Sequence, residues 1–155
     1  MVTKYLITFF VSMVPVVELR GAIPIAVGMG LPKLPSFIIA IIGNMVPVPF
    51  IYLFARKLLV WGKDKKVVGK FCKWALNKGE RAGKKLEEKT KAGAYIALLL
   101  FVGIPLPGTG AWTGTLGASI LDLDFKKTVI AVMGGVLLAG LIMMAISFGI
   151  FDVIL

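Results

Sequence analysis

Two oppositely charged side chains, Glu18 and Arg20, lie in a part of the chain that is otherwise almost wholly apolar. An ionised group inside such a segment is costly, and it is usually there for function. A guanidinium binds phosphate or carboxylate groups in a bidentate manner, and a buried carboxylate can take up and release a proton. This pair of residues therefore suggests a site that binds an ion or carries protons.

Helix-breaking residues surround the two charges. Pro15, Gly21 and Pro24 leave backbone groups without helical partners, and hydrocarbon cannot satisfy such groups. If a short helix begins at Gly21, its free N–H groups and the Arg20 guanidinium together form an anion site. The alternative is that Glu18 and Arg20 form a structural ion pair that holds the break together.

The composition is that of an integral membrane protein. Hydrophobic residues make up 58% of the 155 residues and the mean hydropathy is +0.92, far above the values of soluble domains. A single cysteine and the absence of histidine exclude an intrachain disulfide and imidazole chemistry. We find no nucleophile–base pair and no cluster of metal ligands, so we expect no enzymatic activity, no metal and no cofactor.

The apolar segments alternate between interrupted and continuous. Residues 5–31 and 94–121 each consist of two short arms around a break, whereas residues 34–55 and 128–151 are uncharged throughout. At ~1.5 Å per residue, a short arm of the first segment reaches about 20 Å, and residues 34–55 reach about 33 Å, enough to cross the ~30 Å hydrocarbon core. We predict two re-entrant helical hairpins, each followed by one transmembrane helix. The predicted break residues are Pro15, Pro24, Pro105, Pro107, Gly108 and Gly110.

The order of elements occurs twice, in residues 1–57 and 94–155 of a single membrane domain. A hairpin plus one crossing inverts the second repeat relative to the first, as in many secondary transporters. This topology places residues 56–93 and Lys126–Lys127 in the cytoplasm and both termini outside, in agreement with the positive-inside rule. Four kinked full crossings, the alternative, would place Lys126 and Lys127 outside. The predicted fold class is thus all-α, an inverted repeat in the membrane.

Residues 58–93 join the repeats and carry most of the excess positive charge of the chain. Val68, Phe71, Cys72 and Ala75 have helical spacing, which predicts a cytoplasmic amphipathic helix in the headgroup region. Its partners would be membrane lipids with anionic headgroups and not nucleic acid. The basic residues that we expect on this surface are Lys65, Lys66, Lys70 and Lys73.

Neutral polar residues complete the predicted substrate or proton site. Asn44 lies in the first long apolar segment near the expected depth of the first break, and Thr109 and Thr113 lie in and after the second break. Thr113 is expected mainly to bond its own helix backbone. The full predicted site is Glu18, Arg20, Gly21, Asn44, Thr109 and Thr113.

Two stretches carry a resemblance to a known family. Residues 18–24 and 101–110, which read ELRGAIP and FVGIPLPGTG, resemble the small multi-drug export family, which is similar to the DedA membrane proteins. The resemblance covers essentially the whole chain. It implies re-entrant hairpins, a homodimer in the inner membrane of a bacterium or archaeon, and functional acidic and arginine residues at the hairpin tips, here Glu18 and Arg20. Thr109 stands where DedA-type sequences often carry an acid.

Three functions follow from these observations. The favoured hypothesis is a proton-coupled transporter of an amphipathic anion, such as undecaprenyl phosphate or a phospholipid, because Arg20 lies beside Glu18. The alternative is a small multidrug exporter of cationic compounds, with Glu18 as the counter-charge. A third hypothesis, of another class, is a membrane scaffold that transports nothing and is organised by the basic helix.

Overall fold

The computed structural model describes residues 1–89 and 92–154, with the backbone alone for residues 79, 82–89 and 151–154. In this part of the chain all regular structure is helical, which confirms the predicted all-α class. The helices are α1 (Val2–Met13), α2 (Glu18–Gly28), α3 (Lys33–Met45), α4 (Pro47–Gly62), α5 (Gly69–Lys89), α6 (Gly93–Gly103), α7 (Ala111–Ile120) and α8 (Phe125–Ile154).

Two helical stretches are long and apolar enough to cross a membrane. They are Lys33–Gly62, formed by α3 and α4, and Phe125–Ile150 within α8. Most of their surface is not buried inside the protein, and large apolar side chains such as Phe54 and Ile130 are about 70% exposed (71% and 70%). A soluble monomer rarely exposes so much contiguous apolar surface. These helices therefore indicate a membrane protein.

The first long stretch is interrupted near its middle. Helix α3 ends at Met45 and α4 begins at Pro47, with Pro49 in the first turn of the new helix. Neither proline has an N–H, so the carbonyls of Gly43 and Met45 lack their helical donors. The helix continues to Gly62, beyond the predicted end at residue 55, because Arg56 and Lys57 end the apolar run without breaking the helix.

Helices α1 and α2, the first pair, fold back on each other. The Lys4 Nζ donates a hydrogen bond to the Met29 carbonyl at 2.6 Å, which brings the start of α1 to the end of α2. Beside them, the Lys33 ammonium lies 4.4 Å from the ring centre of Phe148 near the far end of α8. We call this the Lys4 end of the molecule.

Helices α6 and α7, the second pair, open at the opposite end. Here the Asp124 N–H donates to the Tyr95 hydroxyl at 3.2 Å, so the start of α6 lies beside the turn between α7 and α8. Asp122 in the same turn forms an ion pair with Arg56 of α4. We call this the Arg56 end; α8 begins here and runs toward the Lys4 end.

The two halves of the chain are interlocked. Helix α2 packs against α8, and α7 packs against α4, so the second helix of each pair contacts the long helix of the other half. A glycine permits close approach between the halves, since a Cβ at Gly140 of α8 would lie 2.6 Å from Phe37 of α3. The buried core is continuous across both halves.

The basic segment differs from the prediction in what covers the apolar face of its helix. Helix α5 begins only at Gly69, after a turn that follows α4. Cys72 and Ala75 are buried against the protein, because Cys72 packs toward Gly62 of α4, while Val68 and Phe71 are 45% and 65% exposed. The protein, not the membrane, therefore covers part of the apolar face. Residues 90 and 91 of the predicted segment lie outside the described residues.

Replacing Gly43 by alanine tests the close packing of α3 on α1. The new Cβ would lie 2.0 Å from the Ser12 Oγ and 2.5 Å from the backbone oxygen of Phe9, so we expect a destabilisation of about 1–3 kcal/mol. Gly117→Ala is the matched control, since nothing lies within 4 Å of its Cβ. Thermal unfolding in detergent should give a lower midpoint for Gly43→Ala alone; equal midpoints would contradict this packing.

Candidate functional site

The first break, residues 14–17, has an unusual backbone. Val16 and Glu18 adopt positive φ angles of 73° and 50°, a region that side-chain-bearing residues and above all β-branched ones avoid. Two hydrogen bonds close the turn, from the Glu18 N–H to the Val14 carbonyl and from the Gly21 N–H to the Val17 carbonyl, both 2.9 Å. Such strain persists where the surrounding contacts dictate the conformation.

Glu18 caps the second pair. Its side chain is only 4% exposed, and its two carboxylate oxygens accept hydrogen bonds from the first N–H groups of α7. The Ala111 N–H donates to Oε2 at 3.1 Å and the Trp112 N–H donates to Oε1 at 3.0 Å. An anion at a helix N-terminus satisfies otherwise unpaired donors and the positive end of the helix dipole.

Gly110 makes this close approach possible. Its φ angle is +146°, which glycine alone adopts readily, and a Cβ there would lie 2.4 Å from the Glu18 Oε2. Both the backbone conformation and the space beside Glu18 therefore require glycine at position 110.

Arg20 caps the other helix of the second pair. It contacts the end of α6 and the second break, residues 104–110. Its Nη1 donates to the Leu106 carbonyl at 2.8 Å, and its Nη2 lies within hydrogen-bonding distance of three further oxygens. These are the Val102 carbonyl at 3.0 Å, the Thr109 Oγ1 at 2.9 Å and the Ile104 carbonyl at 3.2 Å. The guanidinium thus neutralises the carbonyl-rich end of α6.

Trp112 makes the reciprocal contact. Its indole Nε1 donates to the carbonyl of Met13, the last residue of α1, at 3.2 Å. A side chain at the start of α7 therefore caps a helix end of the first pair, as two side chains at the start of α2 cap the helix ends of the second pair at its break. Trp112 is not among the predicted site residues, although an N–H donor in apolar surroundings, in the first turn after a break, is a signal that could have found it.

Several predicted details of the first break are corrected by these contacts. Among the side chains that the structure describes, the ion pairs are those of Arg56, and Glu18 and Arg20 do not form one with each other. Gly21 and Pro24 lie inside α2 and not at its start. Because the Gly21 N–H is bonded to the Val17 carbonyl, the predicted anion site at that N–H is not formed. Pro24 removes one helical hydrogen bond, which is too little to end a helix so closely packed.

The remaining predicted break residues lie between α6 and α7. Thr109 is the acceptor for Arg20, and its Oγ1 is also within 2.9 Å of the Ile104 carbonyl. Gly108 has a φ angle of +80°. Pro15 lies in the first break, and Pro105 and Pro107 lie in the second.

Asn44 lies in the last turn of α3, just before the interruption at Pro47. Asn44 is 2% exposed, and its Oδ1 has no hydrogen-bond partner within the described residues.

Thr113 and the basic residues do not join this cluster. The exposed Thr113 hydroxyl donates to the Gly110 carbonyl of its own helix start at 3.4 Å, as expected. The structure places the four predicted lysines on the exposed surface at the Arg56 end: Lys65 and Lys66 in the turn after α4, and Lys70 and Lys73 on α5. Among the described residues, no group of three or more His, Cys, Asp or Glu side chains could hold a metal ion.

Alanine at position 110 tests the contact between Glu18 and α7. We expect Gly110→Ala to lower stability by about 1–3 kcal/mol from backbone strain, plus the cost of displacing the carboxylate. Gly108→Ala is the control, since it has positive φ but nothing within 4 Å of a Cβ, and should cost only the strain, about 1–2 kcal/mol. Thermal unfolding of both variants in detergent measures the difference, and a Gly108→Ala protein as unstable as Gly110→Ala would contradict the carboxylate contact.

Comparison with known proteins agrees with the resemblance at the two breaks. No curated protein and no solved structure matches the chain. One family model matches residues 18–142, a range that begins at Glu18, includes both breaks and ends in α8. Because this range is most of the chain, the protein belongs to the family described as "Putative small multi-drug export protein".

Proposed function

We propose that the protein exports small cationic amphipathic compounds across a membrane in exchange for protons, with Glu18 binding the proton and the substrate in turn. The observation that carries this proposal is the buried Glu18 carboxylate, whose oxygens both hold the N-terminus of α7. The single charge of Glu18 thus connects the two helix pairs, since it belongs to α2 of the first pair and binds α7 of the second. The name of the family, small multi-drug export, supports the same class of substrate.

The helix lengths support a re-entrant arrangement of both pairs. Helices α1, α2, α6 and α7 have 10 to 12 residues each, about 15–18 Å, so none of them can cross the ~30 Å hydrocarbon core alone. The pairs open at opposite ends of the molecule and contact each other at their breaks. Two such pairs, placed tip to tip, together reach about 33 Å. In our proposal they enter from opposite faces and the breaks meet near the midplane.

The distribution of charge supports an orientation. The Arg56 end has the basic turn after α4, helix α5 and the lysines that begin α8, whereas Lys4 and Lys33 lie at the other end. By the positive-inside rule the Arg56 end faces the cytoplasm. With the two helix pairs entering from opposite faces, the two halves form an inverted repeat, the architecture on which many secondary transporters are built.

The proposed coupling begins with protonation of Glu18. The ionised carboxylate makes charge-assisted hydrogen bonds to two N–H groups, each worth about 1.5–3 kcal/mol. A proton on one oxygen removes the negative charge and one acceptor, so the N-terminus of α7 loses part of its cap and can move away from the first pair. The net charge of Glu18 and Arg20 together changes from zero to +1, which disfavours a bound cation. Proton and cationic substrate therefore compete for one group, as exchange requires.

A cationic substrate is favoured over a lipid phosphate by the contacts of Arg20. The guanidinium donates to carbonyls at the end of α6 and in the second break, and to the Thr109 hydroxyl. A phosphate would have to displace these acceptors and expose a helix C-terminus within the membrane. The role that we propose for Arg20 is to hold the second break in place while Glu18 changes its partner.

Glu18→Gln is the test of this proposal. Glutamine keeps the shape and an acceptor but cannot take up a proton, so proton-gradient-driven export of a cationic dye such as ethidium from vesicles should fall by about tenfold or more. The control, Glu80→Gln, removes a half-exposed carboxylate that pairs with Arg56 and should leave export near the native rate.

Different outcomes would distinguish the competing functions. Native export by the Glu18→Gln protein would overturn the proposal. Translocation of a fluorescent anionic lipid that is lost in Arg20→Ala would support the lipid phosphate instead. If Glu18→Gln is silent and replacing Lys65, Lys66, Lys70 and Lys73 together abolishes activity in cells, the protein is a scaffold.

A further inference from the structure

The outer face of α4 carries an amphipathic groove at the Arg56 end. Leu53, Lys57, Val60 and Trp61 are spaced by four, three and one residues, so they form one stripe on the helix. With Tyr52 and Arg56 as further lining residues, they border an open cavity of about 440 Å³. Leu53 and Trp61 are 51% and 61% exposed, so the groove faces away from the protein.

The two ends of this groove differ in chemistry. Toward the middle of the chain's first long helix it continues into exposed Phe50 and Phe54, a surface suited to hydrocarbon. At its other end lie the exposed Lys57 and Lys65, whose ammonium is 4.3 Å from the ring centre of Trp61. Arg56 is engaged by Glu80 and Asp122. The lysines are therefore the cations that this groove offers to a ligand.

We propose that this groove binds one anionic phospholipid. The phosphate lies between the ammonium groups of Lys57 and Lys65, the glycerol region lies against the Trp61 ring, and an acyl chain follows Leu53 toward the middle of the membrane. Charge complementarity selects the lipid, since a zwitterionic headgroup would bring its own cation close to two lysines. Tryptophan is enriched at this depth of a membrane for the same combination of an apolar ring and a polar N–H.

This site is independent of the export that we propose for Glu18. It lies near the membrane surface, at the opposite end of α4 from the break that contains Pro47. The two proposals can fail separately, because lipid binding here requires no proton and no transport.

Tryptophan quenching by brominated lipids tests the site in the full chain. The protein is reconstituted in phosphatidylcholine vesicles with a small fraction of phosphatidylglycerol, and either the one or the other lipid is brominated on its acyl chains. At equal mole fraction we expect brominated phosphatidylglycerol to quench more strongly, with a preference on the order of tenfold for two lysines near the surface. The Trp61→Phe protein should lose most of this excess, which separates Trp61 from Trp74 and Trp112.

Two lysine variants identify the source of the preference. Lys57→Ala combined with Lys65→Ala should abolish it, while Lys126→Ala combined with Lys127→Ala removes the same charge from the start of α8 and should leave it unchanged. Equal quenching by the two brominated lipids, or an excess that persists in Trp61→Phe, would overturn the proposal. A loss of equal size in both lysine variants would attribute the preference to general surface charge and also overturn it.

Discussion

The structure depends on side chains of each helix pair that cap the broken helix ends of the other pair. Two breaks interrupt short apolar helices, and each leaves N–H and C=O groups that hydrocarbon cannot satisfy. Each pair caps the helix ends of the other: the Glu18 carboxylate accepts from the first N–H groups of α7, and the Arg20 guanidinium donates to the Val102 carbonyl at the end of α6 and to the Leu106 carbonyl in the second break. In the other direction, the Trp112 indole N–H donates a hydrogen bond to the carbonyl of Met13, the last residue of α1. Neither helix pair is complete without the other.

These caps between the two pairs explain why Glu18 and Arg20 lie two residues apart without forming an ion pair. Glu18 and Arg20 occupy the first turn of α2, and they diverge toward helix ends of opposite polarity, so each charge meets a dipole of opposite sign. An ion pair between them would leave both helix ends uncapped. The exchange mechanism that we propose starts from this contact, in which one carboxylate of the first pair holds a helix of the second.

The packing of the long helices carries this contact to both ends of the molecule. Helix α2 packs on α8 and α7 packs on α4, so the short helices that begin at the breaks contact helices that reach the Lys4 end and the Arg56 end. At the Arg56 end, Arg56 binds both Glu80 of α5 and Asp122 of the turn before α8. The Tyr52 hydroxyl donates a hydrogen bond to the Leu123 carbonyl in the same turn. The basic surface is thus joined to the transmembrane part through α4.

The amino-acid sequence by itself determined the helical class, the two membrane-length stretches and the presence of two isolated charges at residues 18 and 20, because hydropathy, proline and glycine positions and isolated charges are local properties. It did not determine the partners of Glu18 and Arg20, which lie more than 80 residues away, and proximity in sequence wrongly suggested an ion pair or an anion site at Gly21. Pro24 also appeared as a break, although the packing of α2 keeps the helix intact through it. Only the tertiary structure decided which helix end each charge caps, because that depends on how the two halves interlock and not on the composition of either one.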